Sequence, residues 1–439
     1  LNNRSHLGVT SGAIPSNTWN GPVTLSGTAI LDGNNSAAMS LKINGPVSGS
    51  GSLVKTDPMT AYLTHTNNTY TGTTIVSNGV LSVAYVGSLP RYGIAGQVTV
   101  APGGTLAAMT GDGTVGWSKA QLDTLRTTAT FVSSSAALGL DTTFGDFVYG
   151  DHFTQAFSLA KYGTNTLTLS GANAISNQMR VCNGTLTLAN TSTNASASVL
   201  VTGSQGSALN LNGPLTLVNY GSLTNGSASG DRCVMRITTN LTIMADKNSS
   251  TLGKLFVGSG AGSAGAVYQT AGRVSVSSGL MWTDFVSIGN AGGYGYYRMI
   301  GGTLVAGELG VTGGMGGNNV GVFDLYGGTV NVNGAHLLVG WSQGVGVLNL
   351  YGGSVSVSTG WLYITYGATA GTFGMLNLLG PTASLAMNST GYNLQMANAN
   401  GDQASVINLN SGTLTVYQVL STQSGTPSYF NFNGGTLRA

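Results

Sequence analysis

The chain has 439 residues, with 15 Lys and Arg against 13 Asp and Glu, so 6% of it is charged and the net charge is +2. So sparse a charge excludes the basic footprint of a nucleic-acid binder and the charged composition of a disordered tail. Its 69 glycines lack the strict period of three of collagen, no apolar run of about 18 residues is present to span a bilayer as a helix, and a single Glu (Glu308) leaves few helix-forming charges for an α-rich enzyme.

In chain order, residues 1–16 read as a polar N-terminal extension. The chain opens at Leu1 without a basic segment followed by an apolar one, as a processed mature chain or a fragment would. Residues 17–102 carry short alternating strands between glycine turns: Val23-Thr24-Leu25, Ala29-Ile30-Leu31, Leu41-Lys42-Ile43, Leu53-Val54-Lys55, Thr74-Ile75-Val76 and Leu81-Ser82-Val83. Residues 103–156 interrupt the pattern with an irregular insert. Within it Ser118 is a helix cap and Leu122 and Leu125 stand at helical spacing. Residues 157–439 resume the strands.

The last third repeats itself. Phe323-Asp324-Leu325, Leu348-Asn349-Leu350, Leu376-Asn377-Leu378, Ile407-Asn408-Leu409 and Phe430-Asn431-Phe432 recur 23 to 31 residues apart, most of them followed by a glycine turn and a second short strand. A third strand type lies between copies, as at Leu337-Leu338-Val339 and Leu362-Tyr363-Ile364. A unit of about 25 residues cannot bury its own apolar face, whereas stacked units can. Because like follows like at one-coil intervals, the pattern predicts an all-β, right-handed parallel β-helix with one helix-containing loop insert. Glycines and Asn-Gly pairs, such as Asn78-Gly79 and Asn183-Gly184, mark its corners. The competing reading is an antiparallel hairpin array, since Asn-Gly also suits hairpin turns.

Two segments, Gly45 to Ala84 and Phe157 to Ala189, resemble the autotransporter-associated β-strand repeat of bacterial surface proteins. The first holds Lys55-Thr56, Asn68-Thr69-Tyr70-Thr71-Gly72-Thr73-Thr74 and Gly79-Val80-Leu81. The second holds Lys161-Tyr162-Gly163, Leu167-Thr168-Leu169 and Gly184-Thr185-Leu186, but loses the Tyr-x-Gly at Ala174-Ile175-Ser176. The resemblance implies a protein exported and displayed outside the cell.

Sites of chemistry are scarce. The densest acid/base group is Asp141, Asp146, Asp151 and His152 with Lys161 nearby, which reads foremost as turn-forming Asp. His6, His65, His152 and His336 lie far apart, which suits no zinc site. Gly260-x-Gly262-x-x-Gly265 runs into a strand where a dinucleotide site opens a helix. Gly340-Trp341-Ser342-Gln343-Gly344 likewise lacks the helix of a nucleophile elbow, so both read as corners. Cys182 and Cys233 read as small buried residues, a single disulfide being the alternative. Sequons at Asn183, Asn190, Asn194, Asn240, Asn248 and Asn388 are mostly what chance gives in a chain so rich in Asn, Ser and Thr, and would be surface turns if the host glycosylates them. The expectation is a non-enzyme without cofactor or metal.

Two residue groups bear on partners. Late aromatics (Tyr326, Trp341, Tyr351, Trp361, Tyr363) suit a surface that stacks on glycans or a cell surface, or alternatively a core stack. Tyr326 and Tyr351 fall in the same place on successive coils and should stack on each other. About 15 coils at about 4.8 Å each would give a rod of about 70 Å whose terminal coils expose unpaired strand edges. Leu1, Asn2 and Asn3 at one end and Phe430, Phe432, Thr436 and Leu437 at the other are the candidates for head-to-tail self-assembly. The function expected is an extracellular structural protein, a subunit of a surface filament or stalk. A surface adhesin or glycan-binding module comes next and a polysaccharide-degrading enzyme last.

Overall fold

The computed structural model describes residues 1–9, 16–33, 35–194, 198–204, 206–218, 221–244, 253–277, 285–313, 317–367, 371–388, 391–398 and 403–439. Nearly every element is a strand of two to six residues, and every strand pairing among the described residues is parallel. That excludes the hairpin array. The chain is a parallel β-helix, and it forms two compact units, Leu1–Leu186 and Thr187–Ala439.

The second unit shows the coil at its most regular. Leu337–Trp341 runs along a first face, Val345–Leu350 along a second and Ser354–Val357 along a third. The chain then starts again with Leu362–Tyr366, Phe373–Leu378 and Ser384–Met387, each paired with its equivalent one coil earlier. The alternation read in the sequence places Leu325, Leu350, Leu378 and Leu409 in one inward column, all fully buried. Each such side chain stabilises the stack by about 2 kcal/mol. Within the same strands Gly265, Gly295, Gly321, Gly346 and Gly374 form a second column, flanked by Cys233 before it and Ser405 after it. A Cβ on Gly346 would collide with the carbonyl oxygen of Val339, because the corner brings two backbones into contact there. Cys233 is buried and unbridged, and burial pushes its thiol up to about 12. Cys182, half-buried, is likewise in no disulfide. The two corner readings hold: Ser342 and Gln343 have φ of 46° and 64°, and Gly260 and Gly262 turn into the strand Ala264–Gln269.

In the first unit one ladder along the first face runs through Ser40–Ile43, Thr60–Leu63, Gly79–Val83, Gly104–Met109, Ala137–Asp141, Ser158–Tyr162 and Met179–Val181. Two boundaries drawn from sequence shift. Residues 1–16 are not merely an extension, because Ser5–Gly8 pairs with Ala29–Asp32 and Ser16–Trp19 pairs with Ser40–Ile43. The polar, mostly exposed side chains of these strands gave no alternation to read. Within 103–156, Gly104–Met109 and Ala137–Asp141 are coil strands, buried at every residue. Buried on both faces, they read as continuous rather than alternating.

The predicted helix is present at Lys119–Thr128. Ser118 accepts from the Gln121 N–H while the Gln121 side chain accepts from the Ser118 N–H, a reciprocal cap, and Leu122 and Leu125 are buried. In chain order the helix stands between a first-face strand and the third-face strand Thr130–Phe131, where other coils run their second-face strand.

The two segments singled out by resemblance share a clip. Lys55 and Lys161 point inward and are fully buried. The Lys55 ammonium donates to the carbonyls of Thr56, Asp57 (2.8 Å) and Asn78 (3.1 Å). That of Lys161 donates to Tyr162 (2.7 Å), Gly163 (2.7 Å) and Asn183 (3.0 Å). Each lysine thus joins its own corner to the Asn-Gly corner of the next coil. Burial, partly opposed by nearby carboxylates, lowers both ammonium groups to about 8.

Candidate functional site

Strand alternation dictates which side chains reach the outer surface, and the outer surface of the second unit carries ladders. The central polar residues of the repeated tripeptides face outward and hydrogen-bond from coil to coil. Asn349 donates to Asp324 (2.8 Å), Asn377 to Asn349 (2.7 Å), Asn408 to Asn377 (2.7 Å) and Asn431 to Asn408 (2.7 Å). Tyr296 donates to the other oxygen of Asp324 (2.8 Å). At the following corner Tyr326 and Tyr351 stack as expected, with ring centroids 4.4 Å apart and planes 6° off parallel, and the Arg298 guanidinium lies over Tyr326.

The other late aromatics do not join that pair. Trp341, Trp361 and Tyr363 belong to the first face and its edge, where Trp361 packs on Tyr363 at 5.8 Å and Tyr363 on Tyr366 at 4.6 Å. Trp341 and Trp361 are half-buried and Tyr363 is buried. The five residues therefore form two patches: an exposed tyrosine stack and a mostly covered aromatic cluster. Glu308 is buried on the same face, one Oε2 without a partner, and burial lifts its carboxyl to about 7.

At the coil ends, the Leu1 amino group bonds the Thr24 carbonyl, the Asn2 carbonyl accepts from the Ser5 N–H (3.0 Å), and Asn3 packs against Gly27. Phe430 and Phe432 pair in register with Ile407 and Leu409, and Thr436 and Leu437 with Thr413 and Leu414. Phe432 is 59% exposed although its register partner Leu409 is fully buried.

The acid/base group does not assemble. Lys161 is the inward clip. Asp146 accepts from the Thr166 N–H (2.7 Å), Asp151 pairs with Lys119, and His152 Nδ1 meets the Ala172 carbonyl (2.8 Å). His6 pairs with Asp32, and no metal-holding cluster of His, Cys, Asp or Glu occurs among the described residues. Several sequon amides are used structurally: Asn183 accepts from Gly184, Asn190 from Thr191 and Asn240 from Arg273, and Asn388 donates to Ser356. The side chain of Asn194, and Asn248 altogether, lie outside the described residues. No helix among the described residues is long and apolar enough to cross a membrane.

Sequence reasoning missed a cleft in the first unit, about 740 Å³ in volume, over the first face. Its residues come from many coils, so no local motif announces it. The outward column that gives it Lys42 and Tyr62 continues through Ser82, Ala107, Gly139 and Ala160 to Arg180. The four small residues are buried, and Tyr162 settles over them at the side of the cleft: a Cβ on Gly139 would come within 3.1 Å of the Tyr162 ring. Tyr85 and Phe144, 5.7 Å apart, form one wall, and burial, with a smaller contribution from the charge of nearby Asp141, raises the Tyr62 phenol. One Asp141 oxygen accepts from the Thr143 N–H (2.9 Å) and hydroxyl (2.6 Å), and the other makes no hydrogen bond among the described residues. An aromatic strip at the outward positions of strand ends was the available signal, but its members sit at different register positions and share no period.

No protein-family model, curated protein or solved structure matches the chain.

Proposed function

We propose that this chain is an extracellular structural protein, a subunit of a surface filament or stalk that adds copies end to end through its coils. The observation that carries the reading is the self-templating ladder. Backbone strands, apolar columns and the asparagine ladder all repeat in register, so each coil is shaped to receive another of the same kind. Phe432 and Leu437, 59% and 43% exposed, stand in the columns that Leu409 and Leu414 occupy buried one coil earlier. A second copy seated there would cover apolar side chains and unpaired strand edges together. The resemblance of 45–84 and 157–189 to repeats of displayed bacterial proteins supports the location outside the cell.

Electron microscopy and sedimentation velocity across a concentration series test this. End-to-end growth gives filaments of one-coil cross-section whose length rises with concentration, and Phe432→Asp with Leu437→Asp reduces it at least tenfold. Particles of constant size at every concentration would end the proposal.

A second reading, a glycan- or surface-binding adhesin, is favoured by the Tyr326 and Tyr351 stack, exposed at 43% and 38%. Stacked rings with open faces suit sugar contact.

A further inference from the structure

We infer that the cleft of the first unit is a binding site for a short, neutral oligosaccharide, separate from both the terminal coils and the late aromatic stack. Three features converge. The first is shape: about 740 Å³ lies within the range of small-molecule sites, and the cleft is concave on an otherwise flat sheet face. The short side chains of Thr64, Ala84 and Gly163 line it among the bulkier Tyr62, Tyr85 and Phe144.

The second is the lining. Tyr62, Tyr85, Phe144 and Tyr162 surround the hollow, and Phe144 is 40% exposed, an apolar ring held at a rim that no other part of the described first unit covers. Pyranose rings present C–H faces to aromatic rings and hydroxyls around their edge, so a sugar needs apolar faces and polar groups interleaved. Here the polar complement is Asn44, Thr64, Asn183 and Asp141. These are amide, hydroxyl and carboxylate groups able to donate to and accept from hydroxyls.

The third is electrostatics. Asp141 lines a cleft whose one basic lining residue is Lys42, exposed at its edge. A carboxylate set among tyrosines disfavours an anionic sugar, whereas it accepts from a neutral hydroxyl in a charge-assisted bond. A planar nucleobase would also stack on the rings, but the single edge lysine offers little to a phosphate.

Isothermal titration calorimetry of the whole protein against cellotetraose, maltotetraose and chitotetraose tests the inference. At least one should bind saturably with a dissociation constant below about 1 mM, ordinary for a weak site. Phe144→Ala, at an exposed position, and Tyr85→Ala with Phe144→Ala should weaken it about tenfold or more, with thermal unfolding unchanged for Phe144→Ala. Asp141→Asn should weaken it severalfold. Tyr326→Ala with Tyr351→Ala should leave it intact. The inference fails if none of the three sugars binds, if binding survives loss of Tyr85 and Phe144, or if it is lost on removing Tyr326 and Tyr351. Because none of these variants touches the terminal coils, filament growth measured on the same samples scores the proposed assembly independently.

Discussion

Glu308 is the chain's one glutamate and it is 3% exposed, with its Oε2 unpartnered. On the neighbouring coil His336, likewise buried, accepts from the Trp361 N–H at 2.9 Å, and burial lowers its imidazole. With the Glu308 carboxyl raised from 4.5 to about 7, the folded state keeps a proton between those values that the unfolded chain has released. The Glu308 contribution to stability therefore falls as pH rises from about 4.5 to about 7, by about 3 kcal/mol, and levels off above, while His336, its imidazole lowered by burial, contributes with the opposite sign. Urea unfolding at pH 5 and pH 8 checks this. Glu308→Gln should flatten the slope and be the more stable protein at pH 8, and an equal slope in both proteins would refute the assignment. Nothing local in the sequence marks Glu308 as buried, nor Lys55 and Lys161. Lys161 reads in sequence as a neighbour of Asp141 and Asp146, yet alternation carries it to the inner side, where three backbone carbonyls, helped by the charge of those two carboxylates, make an ammonium tolerable. Partners supplied by a corner one coil away are invisible to spacing along the chain.

Elements were far more legible. Val23–Leu25, Leu53–Lys55 and Thr74–Val76 fall where alternation puts them, as does the capped helix at Lys119–Thr128. The strands buried at every residue, Gly104–Met109 and Ala137–Asp141, were not legible, because period two vanishes when both faces are covered. Outward polarity of Asn349, Asn377 and Asn408 follows from the same alternation, while their mutual bonding needs the register. The ladder is an element-scale interaction, and its cost depends on position. Asn377→Ala removes a half-hidden link and strands both the Asn349 oxygen and the Asn408 amide, so it should destabilise by about 1–2 kcal/mol. Asn431→Ala removes a member on an exposed strand whose ladder bond among the described residues is to Asn408, and should cost under about 0.5 kcal/mol. Paired chemical-denaturation curves decide it, and equal losses would mean the ladder carries no positional energy.

At the scale of the whole molecule, scarcity of charge is the organising fact. With 6% charged residues and a net charge of +2, the surface is built from Thr, Ser, Asn, Gly and Tyr, and long-range repulsion between copies is weak. Few ion pairs take its place: Lys119 with Asp123 and Asp151, Arg126 with Asp123, and His6 with Asp32 are those of the described residues, all in the first unit. The columns that would meet in an assembly, led by Phe430, Phe432 and Leu437, are apolar, and the strand edges beside them are neutral amides. Salt screens charges but leaves hydrophobic contact and backbone hydrogen bonds nearly untouched, the Debye length shrinking to about 3 Å at 1 M. End-to-end growth should therefore be nearly unchanged between low salt and 1 M sodium chloride, and should increase in sodium sulfate, which strengthens apolar burial. Sedimentation velocity at fixed protein concentration measures it. Dissociation into single copies by 1 M sodium chloride would show that charge, not the coil ladder, joins the copies.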